Sequence, residues 1–351
     1  MREARFLTKS DFETLLGNVA RIAVIFLGAI ALIATLDIAQ VILAPIFLAI
    51  VIGLMFGPLS DRIEQAGIPS WISALATVVL FLILIAAAAT GFAVPLSDWL
   101  DKLPSIWSRL QSELTDWRGV IASLGGLQEQ IRSVMGSSAS MRVNVEDTST
   151  MESVAYFAPT FMAQIILFLA SMYFFIATRK GIRDTAITYC ITPRLRNGVR
   201  RTFDDVENRV SRYLLSITAV NALLAFMVSL VLYLLGVPSP LLWGLMAGVL
   251  NYVIYIGPAV MALILTGVGL ATAEGTLAIL TPPLAYLGLN LLEAQFITPA
   301  VLGRTMTLNP FLVLVSIASW IWLWGPTGGF IAVPSLLVLG AILSNILPHE
   351  G

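Results

Sequence analysis

Apolar runs of about 20 residues recur along this chain, and no other feature of the sequence constrains its fold as strongly. A helix of about 20 apolar residues is long enough to cross a bilayer. Helices and closed barrels can span membranes because they satisfy every backbone polar group internally. We interpret five runs as spans: 20–37, 39–57, 71–94, 154–178 and 213–235. The sequence therefore predicts an all-α, polytopic helical membrane protein.

Three more apolar stretches, all in the C-terminal half, are interrupted by glycine or proline. They are 241–273 with Gly257-Pro258, 276–297 with Pro282-Pro283, and 310–346 with Gly325-Pro326-Thr327-Gly328-Gly329. A helix broken at membrane depth must line a cavity or be buried in protein, because backbone groups exposed to lipid are costly. We therefore predict about eight spans, with broken or re-entrant helices forming a transport core. The alternative is that glycine and proline are simply frequent in membrane helices.

The composition excludes several classes of protein. Charged residues make up 12% of the chain, whereas a soluble domain carries about 25%. The net charge of −1 argues against a nucleic-acid partner. Cys190 and His349 are the only cysteine and histidine, which excludes a disulfide framework and leaves almost no ligands for a metal. The chain has no G-x-x-x-x-G-K-[ST], H-E-x-x-H or G-x-S-x-G motif, so we predict no ATP-driven transport, no enzyme and no cofactor.

Lysine and arginine give the predicted orientation. If the N-terminus is inside, residues 1–21, 58–70 and 179–212 face the cytoplasm and hold 14 of the 20 basic residues. The other six lie in 96–152 and at Arg304. This split follows the positive-inside rule. An even number of spans then places the C-terminus in the cytoplasm as well.

Two polar segments with helical periodicity divide the chain. The predicted units are residues 1–95 with three spans, 96–152 outside the membrane, 153–212 with the fourth span and a basic amphipathic helix, and 213–351 with the transport core. Apolar residues at heptad spacing within 103–124 predict self-association, or an amphipathic helix packed on its own protomer. A similar stripe within 194–214, surrounded by arginine, predicts a helix lying on the anionic inner leaflet, or a solvated linker helix.

Glu293 stands out because it lies in an otherwise apolar segment. An ionisable residue inside a span is a functional-site hypothesis, since its burial is costly. A desolvated carboxylate there could bind a proton or a cation. Asn290 lies on the same helical face and Gln295 is nearby in sequence. The alternative places Glu293 near the outer interface or pairs it with Arg304.

Other polar and small residues are interpreted more simply. Asn251, Tyr252 and Tyr255 precede Gly257-Pro258 and could line a cavity with hydrogen-bonding groups, or serve only as structural residues. Asp37 and Glu274 are predicted to be turn residues at the membrane surface. Gly53-x-x-x-Gly57 and Gly244-x-x-x-Gly248 predict close contact between helices.

Several segments resemble the autoinducer-2 exporter family, in the same order and spacing. Residues 251–258 resemble an "IPYVGP"-type segment of that family, and residues 58–69 its first cytoplasmic loop. Glu293 to Pro299 resembles an "E-x-x-x-(I/L)-x-P" stretch, which Gly303-Arg304 and Leu308-Asn309-Pro310 follow. Trp324 to Pro334 resembles a "(F/W)G-x-x-G-x-x-(L/I)-A-V-P" signature, which includes Gly325, Gly328 and Gly329. Asn309 departs from the family, since many members carry histidine there, and this puts any mechanism that uses the histidine in doubt.

The resemblance implies an integral membrane transporter that forms a homo-oligomer, a pentamer. The namesake activity is export of autoinducer-2, a small polar signalling molecule, and other members resemble sodium or lithium/proton antiporters. Our leading hypothesis is a secondary transporter of the bacterial inner membrane that exports a small polar solute and contacts membrane lipid. The first alternative has a monovalent cation as substrate, and the second is a non-transporting membrane scaffold.

Overall fold

The computed structural model describes residues 9–101, 106, 108, 150–302 and 309–346. These residues form helices and no strand. The helices are α1 (Lys9–Ile38), α2 (Gln40–Met55), α3 (Gly57–Gln65), α4 (Ser70–Leu100), α5 (Thr150–Thr188), α6 (Pro193–Leu234), α7 (Pro240–Leu250), α8 (Ile256–Thr272), α9 (Thr276–Leu292), a π-helical turn (Glu293–Ile297), α10 (Thr298–Leu302) and α11 (Pro310–Ile346). The predicted heptad segment 103–124 lies outside the described residues apart from 106 and 108, and Arg304 lies outside them.

Six of the described helices are long and apolar enough to cross a membrane, or seven if α2 and α3, which meet at 53°, form one span. The predicted all-α, polytopic fold is confirmed. Among the described helices, the predicted stretch 241–273 forms no single candidate span, because it is divided into α7 and α8. These apolar helices have 11 and 17 residues, and a single span needs about 20.

Helix α6 joins the basic segment and the fifth predicted span into one helix of 42 residues. Its start is fixed by Thr192, whose side chain accepts a hydrogen bond from the Leu195 N–H, and by Pro193 in the first turn. At 1.5 Å per residue this helix is about 63 Å long, twice the thickness of a hydrocarbon core. The segment 194–214 is therefore the first half of α6 and not a separate helix, and its contact with the inner leaflet stays a prediction.

Helix α9 passes through Pro282 and Pro283 without a break. Both prolines are buried, and neighbouring helices can compensate for the hydrogen bonds that a proline removes from a membrane helix. The interruption comes later, in the π-helical turn, where the Thr298 N–H donates to the Glu293 carbonyl five residues back. Pro299, predicted as a break, lies in the short helix α10 directly after that turn.

The break before α8 and the kink in α11 lie close to the positions that the sequence predicts. The break before α8 covers residues 251–255 and ends at Tyr255, whose φ of 69° is unusual for a residue with a side chain. Gly257 and Pro258 lie in the first turn of α8. Helix α11 begins at Pro310 and is kinked at Trp324 and Gly325, where the φ of 59° at Gly325 requires glycine. Gly328, Gly329 and Pro334 follow the kink as helical residues, so the prediction of breaks there is wrong.

Glycines of both predicted contact motifs lie at close helix contacts. An added Cβ at Gly53 would lie 2.7 Å from the Phe175 ring of α5, and one at Gly248 would lie 2.8 Å from the Asn221 carbonyl of α6. Gly244 also faces α6 with no room for a side chain, at Ser229 and Ala225. These glycines allow α7 to approach the backbone of α6 closely.

We expect Gly248→Ala to lower the midpoint of thermal unfolding in detergent. The added methyl group meets the rigid Asn221 carbonyl, and such overpacking costs about 1–3 kcal/mol. Gly267→Ala is the matched control, because Gly267 lies inside α8 with no atom within 4 Å of an added Cβ. That variant should be unchanged or stabilised, by up to about 1 kcal/mol from the better helix propensity of alanine. Equal midpoints for the two variants would contradict the α6–α7 contact.

Candidate functional site

Glu293 is buried at the end of α9, with 5% of its surface exposed. The π-helical turn that it opens places Thr298 so that the threonine hydroxyl donates a hydrogen bond to the Glu293 carboxylate. Tyr286 precedes Glu293 by seven residues on the same helical face. Its hydroxyl is fully buried and has no hydrogen-bond partner among the described residues. The Glu293 carboxylate is therefore largely shielded from solvent and bound by a hydroxyl of its own chain.

Three asparagines form a hydrogen-bonded ladder next to Glu293. The Asn290 Nδ2 donates to the Asn251 Oδ1 at 3.2 Å, and the Asn251 Nδ2 donates to the Asn221 Oδ1 at 2.9 Å. The asparagine ladder links α9, the break before α8, and α6. Asn251 and Asn221 are 8% and 2% exposed, and the Asn221 Nδ2 has no partner among the described residues. The ladder thus keeps an unused donor in a buried place.

Tyr252 continues the polar contacts toward the middle of α6. Its hydroxyl donates to the Thr218 Oγ1 at 2.8 Å, and its ring lies 5.3 Å from the ring of Phe330. Phe330 belongs to the part of α11 that follows the Gly325 kink. The break before α8 therefore contributes an amide to the ladder and an aromatic ring to the contact with α11.

The structure brings together some of the predicted site residues and not others. Asn251 and Tyr252 both bind α6, Asn290 binds Asn251, and Glu293 lies one helical turn after Asn290. Tyr255 is 58% exposed and Gln295 is also exposed. Arg304 lies outside the described residues, so its pairing with Glu293 stays a prediction. The Asn309 side chain accepts a hydrogen bond from the Phe311 N–H at 2.9 Å and so caps α11.

Sequence reasoning missed Asn221, Thr218, Tyr286 and Thr298. Asn221 could have been found by the criterion that singled out Glu293, since it is an amide inside an apolar run. Thr298 faces Glu293 because the π-helical turn brings position i+5 onto that face, which α-helical spacing does not predict.

A second polar centre, the ion-pair cluster, lies at the basic end of the bundle. Arg179 of α5 is 8% exposed and binds Asp61 of α3 at 2.6 Å, Glu207 of α6, and the Gly57 carbonyl at 3.2 Å. Lys180 adds ion pairs to Asp61 at 2.8 Å and Glu64 at 2.5 Å. The ion-pair cluster thus holds the ends of three helices together.

Two further contacts extend the ion-pair cluster along α6. Arg183 pairs with Asp204 at 3.1 Å, and the Asn345 Nδ2 of α11 donates to Asp205 at 2.9 Å. A groove of about 780 Å³ beside the cluster is lined by Glu64, Lys180 and neighbouring residues of α5. In the part of the chain that the structure describes, no group of three or more His, Cys, Asp or Glu residues could hold a metal.

Residues 21–347 match the sequence model of the AI-2E family transporter. The chain is similar to the AI-2 transport protein TqsA of Escherichia coli (strain K12), at 24% identity over 328 residues that cover 92% of this chain and 91% of TqsA. It is 22% identical to YhhT of Escherichia coli (strain K12) over 87% of this chain and 85% of YhhT. It is 25% identical to MT0215 of Mycobacterium tuberculosis over 90% of this chain and 86% of MT0215. The last two are named as candidate transport proteins, without a substrate.

Proposed function

This chain belongs to the AI-2E family of transporters, and we propose that it exports a small polar solute in exchange for protons, with Glu293 as the coupling group. The burial of Glu293 carries this proposal, because a desolvated carboxylate at a helix interruption can bind and release a proton as its surroundings change. A secondary transporter of this kind draws on an ion gradient.

The side chains near Glu293 are suited to bind a neutral solute that forms hydrogen bonds. The asparagine ladder, Tyr252 and Thr218 offer amide and hydroxyl groups and no formal charge. Such groups can form hydrogen bonds with the hydroxyl and carbonyl oxygens of a neutral solute. The name of TqsA gives AI-2 as its cargo, and we propose a solute similar to autoinducer-2 for this chain.

A sodium or lithium/proton antiporter is the second candidate. The buried carboxylate of Glu293 beside the Thr298 hydroxyl favours it, since oxygen atoms of these two kinds are ligands for hard cations. The same carboxylate would then alternate between a proton and a metal ion.

The orientation and assembly of the chain remain proposals. It is a multi-pass membrane protein, and we propose that the end with the ion-pair cluster faces the cytoplasm, because arginine and lysine concentrate there. Both termini would then be cytoplasmic. The homo-oligomer, a pentamer, also stays a prediction from the family resemblance.

Flux in proteoliposomes tests the proposed function. We expect an imposed proton gradient to accelerate release of autoinducer-2 from liposomes that contain the protein, compared with protein-free liposomes. We expect no recovery of a quenched pH dye when sodium or lithium is added. Dye recovery with either ion, without solute release, would favour the antiporter. The absence of both responses would favour the non-transporting scaffold.

A further inference from the structure

One face of α6 carries polar residues from the ion-pair cluster to the asparagine ladder. Glu207, Ser211, Thr218 and Asn221 follow one another at intervals of 4, 7 and 3 residues, which places them on a single face of the helix. They extend over about 21 Å at 1.5 Å per residue. Glu207 binds Arg179 at one end, and Asn221 joins the ladder at the other.

Two polar atoms on this face are buried without a partner among the described residues. They are the Ser211 Oγ and the Asn221 Nδ2, in residues that are 3% and 2% exposed. Other hydroxyls of α6 behave differently, since Thr202, Thr218 and Ser229 each donate to the carbonyl four residues earlier. Buried polar groups normally have a protein, water or ligand partner. Ser211 and Asn221 therefore have hydrogen-bonding capacity that the described part of the chain does not use, and a bound ligand could use it.

Apolar side chains cover this face in the present conformation. Leu214 lies between Ser211 and Thr218, is 1% exposed, and packs with apolar residues of α2 and α11. The residues of α11 in that contact, Val333 and Leu337, follow the kink at Gly325. A movement of this half of α11 about Gly325 would remove Val333 and Leu337 from the part of the polar face around Leu214.

We propose that this face of α6 is the wall of the solute path between the asparagine ladder and the ion-pair cluster. Ser211 and Asn221 bind the hydroxyl and carbonyl oxygens of a neutral solute as it passes. Glu207 is the charged residue on this face, and it is already paired with Arg179. It is therefore not available to bind a charged solute, and we propose a neutral one. This inference rests on the proposed transport function and adds the route that the solute follows.

Cysteine accessibility tests the path, and the sequence suits the method because Cys190 is the only cysteine. Cys190→Ser gives a cysteine-free parent in which a hydroxyl can still donate to the Ala186 carbonyl, as the thiol does. Ser211→Cys and Asn221→Cys are then made in this parent. Each variant is treated in proteoliposomes with a charged, membrane-impermeant methanethiosulfonate, under the gradient that drives flux in the parent.

Three matched variants define the expected result. Leu215→Cys lies on α6 but on its exposed apolar face, Val228→Cys lies in the apolar core, and Tyr189→Cys is at a residue that is 82% exposed at the basic end. We expect the reagent to label positions 211 and 221 at least tenfold faster than 215 and 228. We also expect labelling at 211 to abolish the remaining flux of that variant.

Two outcomes would contradict the proposed path. If 189 is labelled while 211 and 221 react no faster than 228, and the parent transports, the path is overturned and the proposed function stands. If the parent shows no flux of autoinducer-2 or of a cation, the proposed function and the path are both overturned.

Discussion

Replacing Glu293 with glutamine is expected to reduce solute flux in proteoliposomes by roughly 100-fold or more, the loss that follows removal of a side chain that transfers a proton. Glutamine has nearly the same size, and its Oε1 can still accept the hydrogen bond from Thr298. The substitution therefore removes the titrating group and preserves the local packing. The remaining flux should also lose its dependence on the proton gradient.

Glu274→Gln is the matched control for this prediction. Glu274 lies in the exposed turn between α8 and α9, where sequence analysis placed it, and the same change of charge occurs there. Its flux should equal that of the unmodified protein. The midpoint of thermal unfolding should be similar for both variants, which separates loss of coupling from loss of folding. Normal, gradient-dependent flux in Glu293→Gln would rule out Glu293 as the coupling group.

The all-α, membrane-spanning fold and the apolar surroundings of Glu293 could be predicted from the sequence because both depend on local composition. A run of about 20 apolar residues must be helical in a bilayer wherever it lies, and a carboxylate inside such a run is costly in any packing. Burial of Glu293 follows from these two facts. The positions of the helix interruptions do not follow, because Pro282 and Pro283 are tolerated inside α9 by their neighbours.

The partners of each polar group depend on tertiary packing and were not predictable. Asn221 and Asn251 are 30 positions apart, and Arg179 and Asp61 are 118 apart. The positive-inside rule counts arginine residues but does not distinguish a buried ion pair from a solvated charge. The spacing of Glu207, Ser211, Thr218 and Asn221 is visible in the sequence, yet its meaning appears only once Ser211 and Asn221 are known to be buried without partners.

Replacing Arg179 with methionine is expected to destabilise the protein more than any other single change in the ion-pair cluster. Arg179 is 8% exposed and bridges Asp61 of α3 and Glu207 of α6. The Asp61 and Glu207 side chains are 33% and 32% exposed, so the loss should be smaller than the loss of about 3–5 kcal/mol for an ion pair whose remaining charge stays fully buried. Asp61 retains Lys180 at 2.8 Å, so Glu207 is the group left unpaired. The measurement is the midpoint of thermal unfolding in detergent.

Two further variants separate this mechanism from a general loss of positive charge. Arg209→Ala removes an arginine of α6 that is 45% exposed and paired with Asp205 four residues earlier, and such an exposed pair contributes less than about 1 kcal/mol.

The double variant Arg179→Met/Glu207→Gln removes the unpaired carboxylate together with its partner. It should regain part of the stability that Arg179→Met loses, because a half-buried neutral glutamine without a partner costs less than a half-buried carboxylate without one. If the double variant is no more stable than Arg179→Met, the loss comes from packing of the arginine side chain, and the unpaired Glu207 carboxylate contributes nothing to it.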